Sequence, residues 1–242
     1  KGIQECERDP EAALKRRLER VAYIADKFVW HKIAKEWNVP LVVMNDGDVT
    51  ALAGALSLQQ TGMLGIAMGS SEAAGFMDKR GRILGWLNEL AFAPVDYNPK
   101  APADEWSGDQ GVGALYFSQQ AVNKLLPAAK IKLPKTMDLP ERLKEVQNLM
   151  AAGDERAAKI YETIGVYLGY SIPHYLDFYG FDHMLILGRV TTGKGGDIVL
   201  AKAREVLAME FPDVSIAMHV PDEKSRRVGQ AVAAASLPKA KK

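Results

Sequence analysis

The chain has 242 residues, of which 48% are hydrophobic and 25% are charged, and its formal net charge is +1. This is the composition of an ordinary globular protein, and the near-zero charge gives no reason to expect a nucleic-acid partner. No apolar run approaches the roughly 20 residues that a membrane span needs. The only cysteine, Cys6, excludes an internal disulfide. We therefore expect a cytoplasmic protein without a membrane segment or a signal peptide.

The N-terminal part predicts helices followed by a buried strand. Asp9-Pro10 is typical of a helix start, and a second helical stretch ends near Trp37. Leu41 to Met44 is a short continuous apolar run, which predicts a strand buried on both faces of an α/β sheet. Asp48 is expected to cap the next helix. The expected apolar face of that helix is Val49, Leu52, Ala53 and Leu56.

Strands, a long loop and then mostly helices follow. The first strand candidates form an antiparallel meander at Leu64 to Met68, Ala74 to Asp78 and Arg82 to Trp86. Residues 93 to 111 form a loop of a length that is often functional. The remaining helices are predicted at Val112 to Leu125, Leu139 to Ala151, Glu155 to Tyr179, Ile198 to Phe211 and Val228 to Ala235, and the remaining strands at His183 to Leu187 and Val214 to His219.

Two segments carry candidate chemistry near the first strands. Asn45-Asp46-Gly47-Asp48 follows a buried strand, where ligands of open α/β sheets bind, and a carboxylate there can accept a proton during phosphoryl transfer. Gly65 to Ser71 consists largely of small residues whose backbone amides can approach a phosphate. By residue type alone, the first segment also fits a turn and the second a simple hairpin.

A third segment, Gly188 to Gly196, resembles a Walker A loop, but its last position is Gly195 rather than Ser or Thr. The magnesium-binding hydroxyl of that motif is therefore missing, and a glycine-rich turn beside an adenosine is the better interpretation. The four histidines show no metal-ligand spacing, and a hydrolase of the G-x-S-x-G type lacks its motif here.

Four segments in chain order resemble the ROK family of bacterial sugar kinases and repressors. Val39 to Asp46 with Ala51-Leu52-Ala53 resembles the family's "vpv-ENDaNaaAlaE", and Gly65 to Gly69 with Gly75 to Gly81 resembles its "GTGiGgGii-dG". The long helix and strand ending at Gly188 resemble its "ivlGG" region, and Val228 to Ala235 resembles its closing helix.

The resemblance implies a ribonuclease-H-like α/β fold of the actin/hexokinase/Hsp70 superfamily. Residues 1–60 would be the end of an N-terminal kinase-like domain. Residues 61–242 would be the C-terminal domain, whose last helix (222–236) packs back on the N-terminal part. The family's D-x-G-G-T phosphate loop would lie N-terminal to Lys1, so these residues alone are not expected to be a competent kinase.

Carried over by position, the resemblance implies that Asp46 is the catalytic base and that Asn45 and Glu89 bind the sugar. It implies ATP and magnesium as cofactors and a small-molecule sugar as substrate. It is also compatible with a homodimer. The implied phosphate- and nucleotide-binding residues are Gly69, Ser70, Ser71, Gly188, Arg189 and Thr191.

The chain also departs from the family pattern. Phe92 replaces a zinc-binding histidine, and Gly108 to Gly113 has the length of the family's cysteine cluster without a cysteine, so no zinc is expected. Ala114 stands where a second sugar-binding glutamate would be. Glycines of the phosphate and adenosine loops are replaced by Ser71, Ala73 and Arg189.

Three functions stay open from the sequence. The first is an ATP-dependent sugar kinase, and the second is a non-catalytic sugar sensor or scaffold, which the altered loops favour. The third is another member of the superfamily, such as an acyl or sugar-acid kinase or an ATPase. A repressor would need a helix-turn-helix, which these residues do not show, and the sequence does not name the sugar.

Overall fold

The computed structural model describes residues 29–39 and 44–221. The chain divides into two compact units, Lys1–Val43 with Leu237–Lys242, and Met44–Ser236. In the first unit, helix α1 spans Val29–Trp37, which confirms the helix end predicted near Trp37. The predicted strand at Leu41 to Met44, apart from Met44 itself, lies outside the described residues, as do the predicted first and last helices. The domain boundary at residue 60 stays a prediction.

The second unit contains a four-stranded mixed sheet of order β2-β1-β3-β4. Its strands are β1 (Met63–Met68), β2 (Glu72–Met77), β3 (His183–Leu187) and β4 (Ala217–His219). Strand β2 pairs with β1 in antiparallel fashion, whereas β1, β3 and β4 run parallel. The loops after β1 and β3 therefore lie at the same edge of the sheet.

Five α-helices and two short 3₁₀ helices complete the described part of this unit. The 3₁₀ helices are Leu90–Phe92 and Gly113–Leu115. The α-helices are α2 (Asp46–Leu58), α3 (Gln119–Leu125), α4 (Leu139–Ala151), α5 (Glu155–Tyr179) and α6 (Lys194–Glu210). None of the helices in the described ranges is long and apolar enough to cross a membrane.

The two faces of the sheet carry different layers. Helix α2 packs on one face, together with a small cluster that contains Ala55, Met63, Met77 and Leu185. The main core lies on the other face, beneath α5, whose stripe of Ile160, Ile164, Leu168 and Ile172 is at most 1% exposed. The helical spacing of Ile164, Leu168 and Ile172 in the sequence predicts this part of the stripe.

Several element predictions differ from the structure. Residues 82–86 do not form a strand, and Ile83 makes only an isolated bridge to Met77. The predicted helix from Val112 to Leu125 is a 3₁₀ turn and then α3, because Ser118 caps a new helix by accepting a hydrogen bond from the Gln120 N–H. Helix α6 begins earlier than predicted and β4 begins later.

The buried face of α2 also differs from the prediction. Its buried residues include Thr50, Ala51, Gly54 and Ala55, whereas Leu56 is 46% exposed. The reason is distance: a Cβ atom at Gly54 would lie 2.6 Å from the Leu185 side chain. A helix this close to the sheet buries its small residues and turns the large ones outward.

Candidate functional site

The predicted catalytic pair lies at the start of α2. Asn45 is the N-cap residue, and its Oδ1 accepts a hydrogen bond of 2.8 Å from the Gly47 N–H. Asp46 Oδ1 accepts a second one of 3.0 Å from the same group. Both side chains are exposed. The helix N-terminus therefore orients both polar side chains.

Asp48 does not cap the helix, contrary to the prediction. It lies inside the first turn, is 5% exposed, and accepts a hydrogen bond of 2.9 Å from Asn88 Nδ2. Burial raises the pKa of Asp48, against a lowering by hydrogen bonds from the Phe76 backbone and Asn88. The cap position belongs to Asn45 because α2 begins three residues earlier than the sequence pattern indicated.

Two glycines set the height of α2 above the sheet. A Cβ atom at Gly47 would lie 1.9 Å from the Ala74 carbonyl oxygen, and one at Gly75 would lie 2.0 Å from the Gly47 carbonyl oxygen. No side chain fits between these backbones. This crossing carries Asp46 directly beside the β1-β2 hairpin.

The hairpin loop at Gly69 to Ser71 is held by backbone hydrogen bonds. The Gly69 N–H donates to the Ser71 carbonyl at 3.0 Å, and the Gln119 N–H donates to the Gly69 carbonyl at 2.9 Å. The space beside Gly69 is open, since a Cβ atom there would meet nothing closer than 3.6 Å. The segment is thus a hairpin with room for a ligand against its backbone, so the two interpretations are compatible.

Glu89 is placed by side-chain contacts of its neighbours. The Trp86 ring stacks on Phe76 with ring centroids 5.9 Å apart, and Asn88 is tied to the buried Asp48. Glu89 follows directly, is exposed, and precedes the 3₁₀ helix. The loop that carries Glu89 is therefore anchored on both β2 and α2.

These segments surround one cleft with a volume of about 340 Å³. The predicted residues that line it are Asn45, Asp46, Gly69, Ser70, Ser71 and Glu89. They come from three separate parts of the chain, and the cleft lies beyond the carboxyl end of β1, where ligands of such sheets bind.

Gly188 and Arg189, two of the three remaining predicted residues, line a second pocket of about 470 Å³ together with residues of α2, whereas Thr191 does not line it. Thr191 is 1% exposed and donates to the Gly188 carbonyl at 3.1 Å, so it shapes the loop from within. The Val190 N–H donates to the Met68 carbonyl at 3.2 Å. That bond joins the pocket's loop to the hairpin of the cleft.

Glu72 is a residue of the cleft that the sequence reasoning missed. It is 5% exposed, and its two carboxyl oxygens have no hydrogen-bond partner among the described residues. Burial raises the pKa of Glu72 to about 8. Its position offered a signal: with a period of two it shares a strand face with Ala74 and Phe76, which belong to the main core.

The segment that departs from the family's zinc motif is held by aromatic rings. Phe92 stacks on Trp106 with ring centroids 5.5 Å apart, and the Asp104 carboxylate accepts hydrogen bonds from the Trp106 and Ser107 N–H groups. Within the described ranges, no group of three or more His, Cys, Asp or Glu residues could hold a metal ion.

Comparison with known proteins gives similarity in structure alone. No protein-family model and no curated protein matches the sequence. The ROK hexokinase of Thermus thermophilus superposes on 83% of this chain and 66% of its own, with a TM-score of 0.62 and 17% identity. A ROK-family glucokinase of Streptomyces griseus, in complex with glucose and AMPPNP, superposes on 84% and 70%, with a TM-score of 0.60 and 18% identity.

A ROK-family transcriptional regulator, a homologue of the Escherichia coli MLC protein, is also similar, with a TM-score of 0.64 and 21% identity over 83% of this chain and 53% of its own. The chain thus spans between half and two thirds of the length of the hexokinase and the regulator. These neighbours and the mixed sheet confirm the actin/hexokinase-like fold class. The resemblance read from the sequence is confirmed at the level of the fold, which is that of ROK-family sugar kinases and regulators.

Proposed function

We propose that the protein binds a sugar in the cleft beside Asp46 and that, in its full-length form, it transfers a phosphoryl group from ATP to a hydroxyl of that sugar. The observation that carries this proposal is the convergence of the Asn45-Asp46 pair, the Gly69 to Ser71 hairpin and Glu89 on one cleft. The similar structures include a hexokinase and a glucokinase.

The exposed carboxylate of Asp46 suits the role of base. Its position on the first turn of α2, fixed by the Gly47–Gly75 crossing, holds it beside the hairpin. In the proposed reaction it accepts the proton of the attacking sugar hydroxyl. Because Asn45 Oδ1 already caps the helix, its amide nitrogen is the group left to donate to the sugar. Glu89 accepts hydrogen bonds from other hydroxyls.

The cleft and the pocket beside Gly188 together offer space for a nucleotide. The open backbone at Gly69 suits phosphate groups, and the pocket of about 470 Å³ beside Gly188 is large enough for a nucleoside. With no acidic cluster of metal-binding size in the described part, Asp46 and the nucleotide's phosphates would hold magnesium together. Bound MgATP supplies the phosphoryl group and neutralises its charge.

A kinase assay on the full-length protein tests this proposal. We expect ADP release with at least one sugar of a panel of aldoses and amino sugars. We expect Asp46→Asn to lower kcat by roughly 100-fold or more while sugar binding, measured by calorimetry, persists. Asp213→Asn, an exposed aspartate after α6, is the matched control and should leave kcat unchanged. A protein that neither binds nor phosphorylates any sugar would contradict the proposal.

A second candidate is a sugar sensor without catalysis. The observation that favours it is that no Lys, Arg or His of the described chain lines the cleft, so a transferring phosphoryl group finds no cationic side chain there. The similar transcriptional regulator shows that the fold also occurs in a regulator. This candidate would be supported over the kinase if the protein bound a sugar without releasing ADP and if Asp46→Asn left the Kd for that sugar unchanged.

A further inference from the structure

Glu72 is the first residue of β2 and stands opposite Met68 at the hairpin end of the β1-β2 pair. It follows directly on Ser70 and Ser71 and lines the same cleft as Asp46 and Glu89. An ionisable residue in this place adjoins both the hairpin and the loop that carries Glu89.

The carboxyl group of Glu72 is buried and lacks hydrogen bonds. The residue is 5% exposed, and neither Oε1 nor Oε2 has a partner among the described residues. Unpaired buried polar groups are rare in native proteins because their desolvation is not compensated, so each one calls for an explanation. A ligand that supplies the missing partners is one explanation that the location in the cleft supports.

Room for this carboxyl group exists only because residue 113 is glycine. A Cβ atom at Gly113 would lie 2.1 Å from Glu72 Oε2 and 2.5 Å from the Leu90 carbonyl oxygen. The carboxyl group therefore lies against Gly113 and near the Leu90 carbonyl oxygen, next to the loop whose residues Asn88 and Glu89 line the cleft. Contact with a ligand requires a side-chain rotation of Glu72 or a shift of this loop on binding, and side-chain rotations are common at binding surfaces.

The surroundings select the chemistry of the ligand. The other titratable groups lining the cleft are the carboxyl groups of Asp46 and Glu89, and no cationic side chain of the described chain accompanies them. A metal ion held by Glu72 itself is disfavoured, because the described part contains no group of three or more protein ligands that could hold one. With its pKa raised to about 8 by burial, Glu72 is mostly protonated at neutral pH and can both donate and accept. A neutral, hydroxyl-rich ligand matches such a group.

We propose that Glu72 is a specificity-determining residue of the cleft whose carboxyl group forms hydrogen bonds with a hydroxyl group of the bound sugar. This inference rests on the sugar-binding part of the proposed function and holds for a kinase and for a sensor alike. It assigns to β2 a ligand contact in addition to those of Asn45, Asp46 and Glu89.

The test combines variants of Glu72 with deoxy sugars on the full-length protein. For the sugar that the wild type binds, Kd is measured by calorimetry for the parent sugar and for each monodeoxy analogue. We expect one analogue to bind the wild type about 10-fold or more weakly than the parent sugar. Glu72→Met keeps the side-chain volume and removes the polar atoms. In this variant the affinity for the parent sugar should fall by the same factor, so that the parent sugar and that deoxy analogue bind equally well.

Three controls separate a contact from a structural effect. Glu72→Gln keeps a neutral donor and acceptor and should retain affinity within a few-fold. Tyr161→Phe removes a buried hydroxyl group of α5 and should leave every Kd unchanged. Melting curves at pH 7 should show Glu72→Met to be at least as stable as the wild type, because it removes an unpaired buried group. If Glu72→Met does not fold, Glu72→Ala replaces it.

The outcomes distinguish the two proposals. An unchanged Kd in Glu72→Met, or a loss of affinity that leaves the discrimination among deoxy sugars intact, would overturn the role of Glu72 and leave sugar binding standing. A wild-type protein that binds no sugar would overturn this inference together with the proposed function.

Discussion

At the α2 wall of the cleft, backbone lies on backbone, whereas at the wall formed by residues 86–92 the contacts are made by side chains. The Gly47–Gly75 crossing has no space for a single added carbon. Across the cleft, the loop depends on the Phe76–Trp86 stack and on the hydrogen bond between Asn88 and Asp48.

This difference suits the chemistry assigned to each wall. A base must be held within a fraction of an ångström of its productive position, and Asp46 lies on the wall with backbone contacts. A sugar-binding residue can adjust its position to the ligand when its loop is able to move, and Glu89 lies on the wall with side-chain contacts. Glu72 lies between the two walls. Its carboxyl group is next to the wall with side-chain contacts, against Gly113 and near the Leu90 carbonyl oxygen.

The largest effect is expected at the backbone crossing. Gly75→Val places side-chain atoms where the Gly47 carbonyl oxygen lies, so α2 must separate from the sheet. We expect a loss of about 4 kcal/mol or more in the free energy of unfolding. Urea denaturation followed by circular dichroism measures it. Gly69→Ala, where a Cβ atom has ordinary contacts, should cost far less, and equal losses in the two variants would show that the crossing is not special.

The next effect concerns Glu72, between the two walls, and depends on pH. The pKa of Glu72 is raised by burial from 4.5 to about 8, so the folded state binds the proton more tightly than the unfolded state does. The stability that the wild type gains by binding this proton is fully present below pH 4.5 and is lost as the pH rises through about 8. We expect Glu72→Gln to gain roughly 3 kcal/mol over the wild type between pH 5 and pH 8. Urea denaturation at one-unit steps of pH measures this gain, and a constant difference across the range would contradict it.

The smallest effect is expected in the loop of residues 93–111, where Trp106 packs on Phe92. Trp106→Ala removes the ring that stacks on Phe92, and we expect a loss of about 1 kcal/mol. Cleavage of residues 93–111 in limited proteolysis should become faster, because the pair holds the interior of this segment, at Trp106, against the residue that precedes it. The control is Tyr97→Ala, which removes a ring of the same loop that is 76% exposed and leaves the stack intact. Equal cleavage rates in the two variants would show that the stack does not protect the loop from proteolysis.

Much of the fold could be predicted from the sequence because its signals are local. The stripe of α5 and the continuous run of β3 each depend on neighbours within a few positions. The same holds for the Lys79-Arg80-Gly81 turn, which the structure closes with a hydrogen bond from the Gly81 N–H to the Asp78 carbonyl. The predicted third strand was wrong because its pairing with β2 ends after one bridge, at Ile83.

The candidate site was predictable in part. Asn45, Asp46 and the hairpin were identified from local residue types and from order along the chain, and the structure brings them together with Glu89. Glu72 was missed because the predicted strand began at Ala74, so the alternation that places Glu72 on the face of Ala74 and Phe76 was not extended to it. Its burial depends on Gly113, which is distant in sequence, and on the strand face that it shares with Phe76.

The sequence by itself determined most of the helices and strands and which residue types could carry phosphoryl-transfer chemistry, since both depend on short-range pattern and composition. Only the tertiary structure decided how close those segments come. The small residues of α2 face the sheet because Gly47 and Gly75 let two backbones touch, and Glu72 is unpaired because distant residues close over it. Distances of this kind arise from packing between remote parts of the chain, which no local pattern encodes.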